Sequence, residues 1–499
     1  MSALDPIALQ VMLGALRSAC EEMGAVLVRS AHSANIKERR DASTALFDER
    51  GRMAMQAEHI PVHLGAMPSA VEAVLDEEHE PGVAWVLNDP YRGGTHLPDI
   101  TVITPIFTSG NRGSRKLVGF AASRAHHADV GAPEPGSMPA DSRSLADEGV
   151  VIPPSRLDDE LLGELARRMR NPRQRSADLR AQLAANRTGA ARVEALVERF
   201  GLDTVRAAMT ETLDYAERRT RARLAQLEDG TREARDVLEA GEEDLELRLR
   251  ATVDGDSLSL DFSGTAGQHD GNLNCPLAVT LSACYFALRV LADPDVPPCS
   301  GAYRPLSVVA PEGSLLNARP PAAVAAGNVE TSSRVADLVL RAFGRALGQG
   351  TMNNLTLGND DFTYYETLGG GQGACADADG PSGVHVAMSN TLNTPVEALE
   401  LEFPLRAVEY SLRRGSGGAG SFQGGDGVVR ELEALTDMSY SLISERRRHS
   451  PSGADGGEDG APGRNLLNGE ELPAKASGAL RPGDRLRIET PGGGGHGKV

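Results

Sequence analysis

Nowhere in the 499 residues do about eighteen apolar side chains follow one another, the run a helix needs to cross a bilayer, so no transmembrane helix is expected. The opening stretch, MSALDPIALQ, has no basic segment leading into an apolar one, which argues against a secretory signal. Cysteine is scarce. Cys20, Cys275, Cys284, Cys299 and Cys375 are scattered, odd in number and never spaced as CxxC. That speaks against a disulfide framework and a thiolate zinc site, and fits a reducing cytoplasm. Positive charge is also short, with 51 Lys and Arg against 70 Asp and Glu and a net charge of −19. A broad nucleic-acid surface is therefore not expected. The one basic cluster, SERRRHS at 444–450, is short and flanked by acidic stretches.

Glycine and proline, by contrast, are plentiful, at 55 and 29 residues, and imply many turns and close backbone contacts. A chain of this length holds roughly two to four domains. Its texture divides it at 1–156, 157–245 and 246–499. Residues 5–30 read as a helix, with Asp5 at the N-cap, Pro6 in the first turn, and Leu9, Leu13, Leu16, Cys20, Met23 and Leu27 along one stripe. STALFDERGRMAMQ (43–56) reads as a hairpin turning at Asp48–Gly51, and 84–90, 100–107 and 116–127 as strands. Arg, Glu, Ala and Leu dominate 157–245, which reads as a helical layer whose last helix, 202–230, ends at Gly230. Strands return at 245–253 and 256–265, and helices are expected at 276–293 and 332–348. Residues 350–499 read as a Gly-rich region of short strands with a surface loop at 450–463. The fold class is α+β (mixed α/β), multi-domain, with mixed sheets and a helical insertion layer.

Two stretches come close to nucleotide-binding motifs and fail on context. GSGGAG (415–420) fits GxGxxG, but SFQGGDGVV follows, reading as turns and a strand where a helix must open onto the pyrophosphate. Gly492 to Lys498 fits GxxxxGK, but Val499 stands where a hydroxyl is needed for Mg²⁺. No nucleotide site is expected in this chain.

Polar residues gather in the first 130 positions. His32, His59, His63, His96, His126 and His127 are interleaved with Asp41, Asp48, Asp89, Asp99 and Asp129. Imidazole with carboxylate suits a divalent transition metal such as Zn, Mn or Fe. Such an ion lowers the pKa of a water and polarises an acyl or phosphoryl oxygen. In GGTHLPDI (93–100), His96 and Asp99 suit a metal site and a capped turn equally. RAHHADVG (124–131) ends an apolar strand, where alternation admits only one of His126 and His127 to a given site. In HIPVH (59–63), Pro61 argues against a helical ligand pair, which favours loop packing or substrate contact for His59 and His63. KERRD (37–41) is either a solvated charge run or a turn that directs Asp41 inward.

These stretches resemble the hydantoinase B/oxoprolinase family nearly end to end. The resemblance is carried by NIKERRDASTALFDERGRMAMQAEHIPVHLGAM (35–67), NDPYRGGTHLPDITVITP (88–105) and SRAHHADVGAPEPGSMPADSRSLADEGVVIPP (123–154). Further blocks are GNLNCPLAVT (271–280), APEGSLLNARPPAAVAAGNVETSSR (310–334), NTPVEALELEFPLR (393–406), RRGSGGAGSFQGGDGVVRE (413–431) and TPGGGGHG (490–497).

The resemblance implies the metal-dependent hydrolytic subunit of a cytoplasmic hetero-oligomer. A hydantoinase A-type subunit would bind ATP and phosphorylate a cyclic amide, such as a hydantoin or 5-oxoproline, which this chain then opens. Carried onto this sequence, the ligands of a Zn, Mn or Fe ion would be Asp41, His96, Asp99 and His126. The family's HxxDxGG-like motif favours His126 over His127, and His127 and Asp129 would support the ligands from behind. His59, His63, Arg92 and Glu148 are candidates for orienting substrate. Gly93 and Gly94 would let the backbone pass close to the ion. Ala132 stands where many relatives have a second glycine, and Ala42 where many have an aromatic, so no single relative's substrate transfers directly. Two other functions fit the same residues: a carboxylase subunit of the acetone or acetophenone carboxylase type, and a non-catalytic assembly subunit.

Overall fold

A six-stranded antiparallel sheet holds the strands of the first third of the chain. They are β1 (Ala42–Asp48), β2 (Met53–Glu58), β3 (Ala84–Leu87), β4 (Asp99–Phe107), β5 (Leu117–His126) and β6 (Ser155–Leu157), in the order β2-β1-β5-β4-β3-β6. The computed structural model describes residues 5–58, 60–109 and 115–498. β1 is buried along its whole length because both sheet faces are covered. Ala42 and Leu46 pack toward the Pro6–Ser30 and Pro172–Phe200 helices, while Ala45 and Phe47 enter a second core with the Leu277–Leu291 helix. The alternation follows from the two-residue period of a strand.

The first helix buries the stripe read from the sequence: Leu9, Leu13, Leu16, Cys20, Met23 and Leu27 are all at most 7% exposed. Each large apolar side chain is worth about 1.5–3 kcal/mol when fully withdrawn from water. Asp5 occupies the N-cap but its carboxylate makes no capping bond. The hairpin turn is held by Asp48, which accepts from the Arg50 and Arg52 N–H groups at 3.0 and 2.9 Å.

Three further sheets lie among the described residues. One has the order β10-β9-β8-β7, built from β7 (Gly230–Ala240), β8 (Glu243–Asp254), β9 (Ser257–Asp261) and β10 (Leu306–Val309). The rest of the strands are β11 (Asn354–Gly358), β12 (Thr363–Glu366), β13 (Leu405–Arg413), β14 (Gly427–Ala434), β15 (Met438–Ile443), β16 (Arg464–Leu467), β17 (Glu470–Leu472), β18 (Lys475–Leu480) and β19 (Arg485–Glu489). They make the sheets β12-β11-β15-β18 and β13-β14-β19-β16-β17. The fold is thus α+β with mixed sheets and a layer of helices at Asp159–Arg168, Pro172–Phe200 and Leu202–Leu224.

Several local expectations are corrected. The helix expected over 202–230 stops at Leu224, and Gly230 opens a strand instead of closing a helix. Ala234 and Leu238, buried residues of β7, are four apart, a spacing that fits a helix and a strand alike. The helix expected to reach 348 ends at Ala342, before the left-handed Gly344. The strand expected over 84–90 ends at Leu87 and passes into a 3₁₀ turn, Pro90–Arg92. Gly93 and Gly94 are glycines for packing: a Cβ on Gly93 would lie 2.6 Å from the Ser69 carbonyl, and one on Gly94 2.3 Å from that of Asn88.

Residues 450–463 are only partly a surface loop. Pro451, Gly460 and Gly463 are buried, and the segment interleaves with the carboxy-terminal glycines. Each of Gly492, Gly493, Gly494 and Gly495 would place a Cβ 1.9–2.2 Å from another segment's carbonyl oxygen. The stretch that imitates a phosphate-binding loop is a close-packed backbone layer. The basic SERRRHS is likewise folded in, with Glu445 and Arg446 buried and Arg448 and His449 paired with Asp244.

Candidate metal centre

The site forms where two strand ends meet. Asp99 opens β4, His126 closes β5, and the two are direct cross-strand partners. Opposed residues on adjacent antiparallel strands have side chains about 5 Å apart, so this register alone brings the pair together. His96 sits one turn earlier, where the Asp99 N–H donates to the His96 carbonyl at 3.1 Å. The neighbouring pairing, Ala42 with Ala125, carries Asp41 alongside, and the His126 N–H donates to the Asp41 carbonyl at 3.0 Å.

Three ligand-type atoms converge. His96 Nε2 and His126 Nδ1 are 3.2 Å apart, and each lies 3.1 Å from Asp99 Oδ1. Donor atoms about 2.0–2.1 Å from one ion stand at such separations from one another, so the set fits a small divalent ion. All three residues are at most 2% exposed. His126 Nε2 and His96 Nδ1 are buried without a hydrogen-bond partner. Burial lowers the His126 pKa, against the hydrogen bond to Asp99, and so favours the neutral imidazole that a metal requires. Burial works against the Asp99 charge, but His96 and the hydrogen bonds from His126, His63 and His96 hold its carboxyl well below the usual range. His126 therefore presents a neutral nitrogen and Asp99 an anionic oxygen.

The other carboxylate oxygen, Asp99 Oδ2, accepts from Thr95 Oγ1 at 2.6 Å and has His63 Nε2 at 3.5 Å. His63, on the Pro61–His63 turn, is fixed through Nδ1 by Ser43 Oγ at 2.9 Å. Tyr365 stacks on His126 at 4.6 Å between ring centroids. The Arg39 guanidinium covers the Tyr365 ring at 4.8 Å and bonds Thr367 and Thr391. The KERRD turn is thus no solvated charge run: Arg39 and Asp41 are both buried.

Asp41, His96, Asp99 and His126 line one small cavity with Ile60, Val62, Asn328, Val329, Met352, Tyr365 and Thr367. Its volume of about 10 Å³ is room for roughly one water. Asp41 shares the cavity but stands outside the tight group of three.

The remaining candidates lie elsewhere. His127 faces the opposite side of the strand, with Nε2 3.0 Å from Gln182 Oε1, and burial pushes its pKa down to about 4. Asp129 accepts from the Gly131 and Gly136 N–H groups and pairs with Arg170, which shapes the loop after β5. Neither supports the ligands from behind by a hydrogen bond; Thr95, His63 and Tyr365 do the contacting. Arg92 is exposed. Glu148 accepts from the Val324 and Ala325 N–H groups and from Ser142, so its oxygens anchor protein instead of facing the cavity. Burial raises its pKa to about 7. His59 lies outside the described residues.

Sequence reading misses Thr95, Tyr365, Asn328 and Met352. Thr95 sits inside the THLPD turn, where a hydroxyl so close to a candidate ligand is itself a signal. The other three come from more than 200 residues away with no motif to mark them.

A wider cleft of about 1030 Å³ lies apart, with Asp141, Glu239, His269, Arg447 and Lys475 among its lining residues. A hydrogen-bonded chain leads inward from it: Lys475 Nζ to Asn272 Oδ1 at 2.6 Å, Asn272 Nδ2 to Ser142 Oγ at 3.1 Å, and Ser142 Oγ to Glu148 at 2.9 Å.

Comparison with known proteins gives these features a context. The family model described as hydantoinase B/oxoprolinase matches residues 5–499. The chain is 40% identical to 5-oxoprolinase 1 of Arabidopsis thaliana over 539 residues, taking in 99% of this chain and 42% of that protein. It is 31% identical to a putative D-/L-hydantoinase B-type subunit of Pseudomonas sp. (strain NS671), over 100% of this chain and 90% of that protein. The ATP-dependent caprolactamase from Pseudomonas jessenii superposes with a TM-score of 0.92 at 28% identity, covering 100% of this chain and 92% of the other. The chain spans about two fifths of the length of the relative named 5-oxoprolinase 1.

Proposed function

The chain belongs to the hydantoinase B/oxoprolinase family, and on that footing we propose that it is the hydrolytic component of an ATP-dependent enzyme that opens a cyclic amide. In this reading a hydantoinase A-type partner uses ATP to phosphorylate the amide oxygen, and the activated ring is then opened on this chain. The observation that carries it is the convergence of His96 Nε2, His126 Nδ1 and Asp99 Oδ1 within 3.2 Å of one another. Names of relatives agree in kind: 5-oxoprolinase, hydantoinase and caprolactamase all denote proteins that act on cyclic amides.

Amides resist hydrolysis because resonance ties up the nitrogen lone pair, and phosphorylating the oxygen breaks that resonance. Asp41, His96, Asp99 and His126 would hold a divalent ion. When bound, such an ion supplies Lewis-acid polarisation of an acyl oxygen and acidifies a water. Thr95 and His63 engage Asp99 Oδ2 and so leave Oδ1 turned toward the two imidazoles. Ile60, Val62, Val329 and Met352 exclude bulk water, which strengthens every charge interaction in the cavity. A ring substrate is larger than the cavity, so it enters only as these apolar side chains move aside.

The test is ATP-dependent opening of a panel of hydantoins, 5-oxoproline and caprolactam by the purified chain, with and without the partner. Elemental analysis runs alongside, on wild type and His96→Ala. Turnover that needs the partner, ATP and a bound metal lost in His96→Ala is expected. Turnover by this chain alone without ATP, or a metal content that His96→Ala leaves unchanged, overturns the reading.

A further inference from the structure

One polar group in the cavity has no task in holding a metal or excluding water. Asn328 is 3% exposed, lines the same cavity as His96, Asp99 and His126, and its Oδ1 has no hydrogen-bond partner. Buried polar atoms are nearly always paired, so an orphan beside a candidate site points to something that binds there. The other polar side chains of the cavity are accounted for. Tyr365 Oη donates to Asn354 Oδ1 at 2.7 Å, Thr367 Oγ1 is bonded to Arg39 and Thr391, and the aspartates and histidines form the ligand set. Elimination leaves the Asn328 amide as the polar group free to meet a substrate.

The backbone places this residue firmly. Asn328 lies on a π-type turn, Gly327–Thr331, a wide turn that recurs at functional sites. The turn is clamped on several sides. A Cβ on Gly327 would lie 1.9 Å from the Asn274 carbonyl oxygen, so the turn sits directly against that backbone. Thr331 Oγ1 donates to the Leu273 carbonyl at 2.6 Å, and Ser332 Oγ to that of Asn328 at 2.6 Å. Just upstream, the Val324 and Ala325 N–H groups are held by Glu148.

We propose that Asn328 is a substrate-orienting residue whose side-chain amide hydrogen-bonds the ring nitrogen of the cyclic amide, with the carbonyl carbon turned toward the His96–Asp99–His126 group. The proposal rests on the cyclic-amide reading of this site. A primary amide carries one acceptor and two donors, so it pairs with the ring nitrogen whether that atom bears a hydrogen or a lone pair. With Ile60, Val62, Val329 and Met352 as apolar parts of the wall, Asn328 favours a compact ring that carries a polar nitrogen beside the reacting carbon. A site built around one hydrogen bond rejects an isostere that lacks it, because the buried group is then left unpaired.

The experiment compares two probes of the same ring size on the full chain: 2-pyrrolidinone, and cyclopentanone, which has CH₂ in place of N–H. Binding is read by ligand-observed NMR titration, and metal content by elemental analysis. Wild type is expected to prefer the lactam by about tenfold or more, the equivalent of one good hydrogen bond. Asn328→Leu and Asn328→Ala are expected to abolish that preference while leaving metal content and ketone binding unchanged. Equal affinity of wild type for the two probes overturns the proposal, and this needs no variant. So does a preference that survives in either variant. Failure of the wider reading looks different: no bound metal in wild type with an Asn328-dependent lactam preference refutes the ligand set and leaves the role of Asn328 standing.

Discussion

Thr95 Oγ1 lies 2.6 Å from Asp99 Oδ2, on the opposite carboxylate oxygen from the two imidazoles. The hydroxyl thereby fixes the rotation of the carboxylate and turns Oδ1 toward His96 and His126. Thr95→Val keeps the shape and removes the donor. Metal affinity, measured by chelator competition, is expected to fall about 10–100-fold, as is typical when a group behind a metal ligand is lost. Unchanged affinity would show that the carboxylate is oriented without it.

Asp41 and Arg92 are both candidates from the sequence, and the structure separates them. Asp41 shares the buried cavity, whereas Arg92 is exposed. Asp41→Asn is expected to lower both metal content and ATP-dependent turnover by about tenfold or more, and Arg92→Ala to leave metal content alone. Equal metal loss in the two variants would contradict the placement of Asp41 as a ligand.

Asp236 joins three guanidinium groups: Arg334 at 3.3 Å, Arg341 at 3.2 Å and Arg446 at 2.8 Å. Burial works to raise its pKa, but Arg334, Arg446 and Arg341 hold its carboxyl well below the usual range. Asp236→Ala leaves buried positive charge uncompensated. Urea unfolding is expected to show a loss of about 3–5 kcal/mol, the usual result of breaking a buried pair from one side.

Glu330 is fully buried beside Glu445; burial first, and then the Glu445 charge, raise its pKa to about 8. A carboxyl with a raised folded pKa contributes stability that is present below its unfolded value near 4.5 and is lost as pH rises toward 8. Wild type is therefore expected to lose stability with rising pH across that window, by at most about 1.4 kcal/mol per pH unit from this group. Glu330→Gln should flatten the slope between about pH 5.5 and pH 7.5, read by urea unfolding. An unchanged slope would place the titration elsewhere.

The elements around the centre are legible where one period dominates. The stripe from Leu9 to Leu27 marks a helix, STALFDERGRMAMQ marks a hairpin, and the strand register that pairs Asp99 with His126 joins two stretches that stand out in the sequence. The Ala234–Leu238 spacing suits two kinds of element, and only the β8 partner decides between them. Arg39 resembles surface charge because its partners, Thr367 and Thr391, are more than 300 residues away. The cavity wall is illegible for the same reason: Asn328, Met352 and Tyr365 reach it through tertiary packing, which leaves no spacing to read. Gly93 and Gly94 suggest close approach to an ion, and only the fold reveals their crowding by Ser69 and Asn88.

The glycine layer bears on the order in which the molecule assembles. Carbonyls of Pro491, Gly493, Gly494, Gly495 and His496 accept from the N–H groups of Gly371, Gly418, Ala374, Ala454 and Phe422, respectively, at 2.9–3.0 Å. Those five donors lie on three loops, around 371–374, 418–422 and 454, up to about 120 residues upstream, and none is satisfied this way until the 491–496 segment threads between them. Contacts so distant along the chain carry a large closure cost and form late. The loops of the carboxy-terminal half therefore wait on one extended segment, and a variant that slows its docking would delay native structure in all three loops at once.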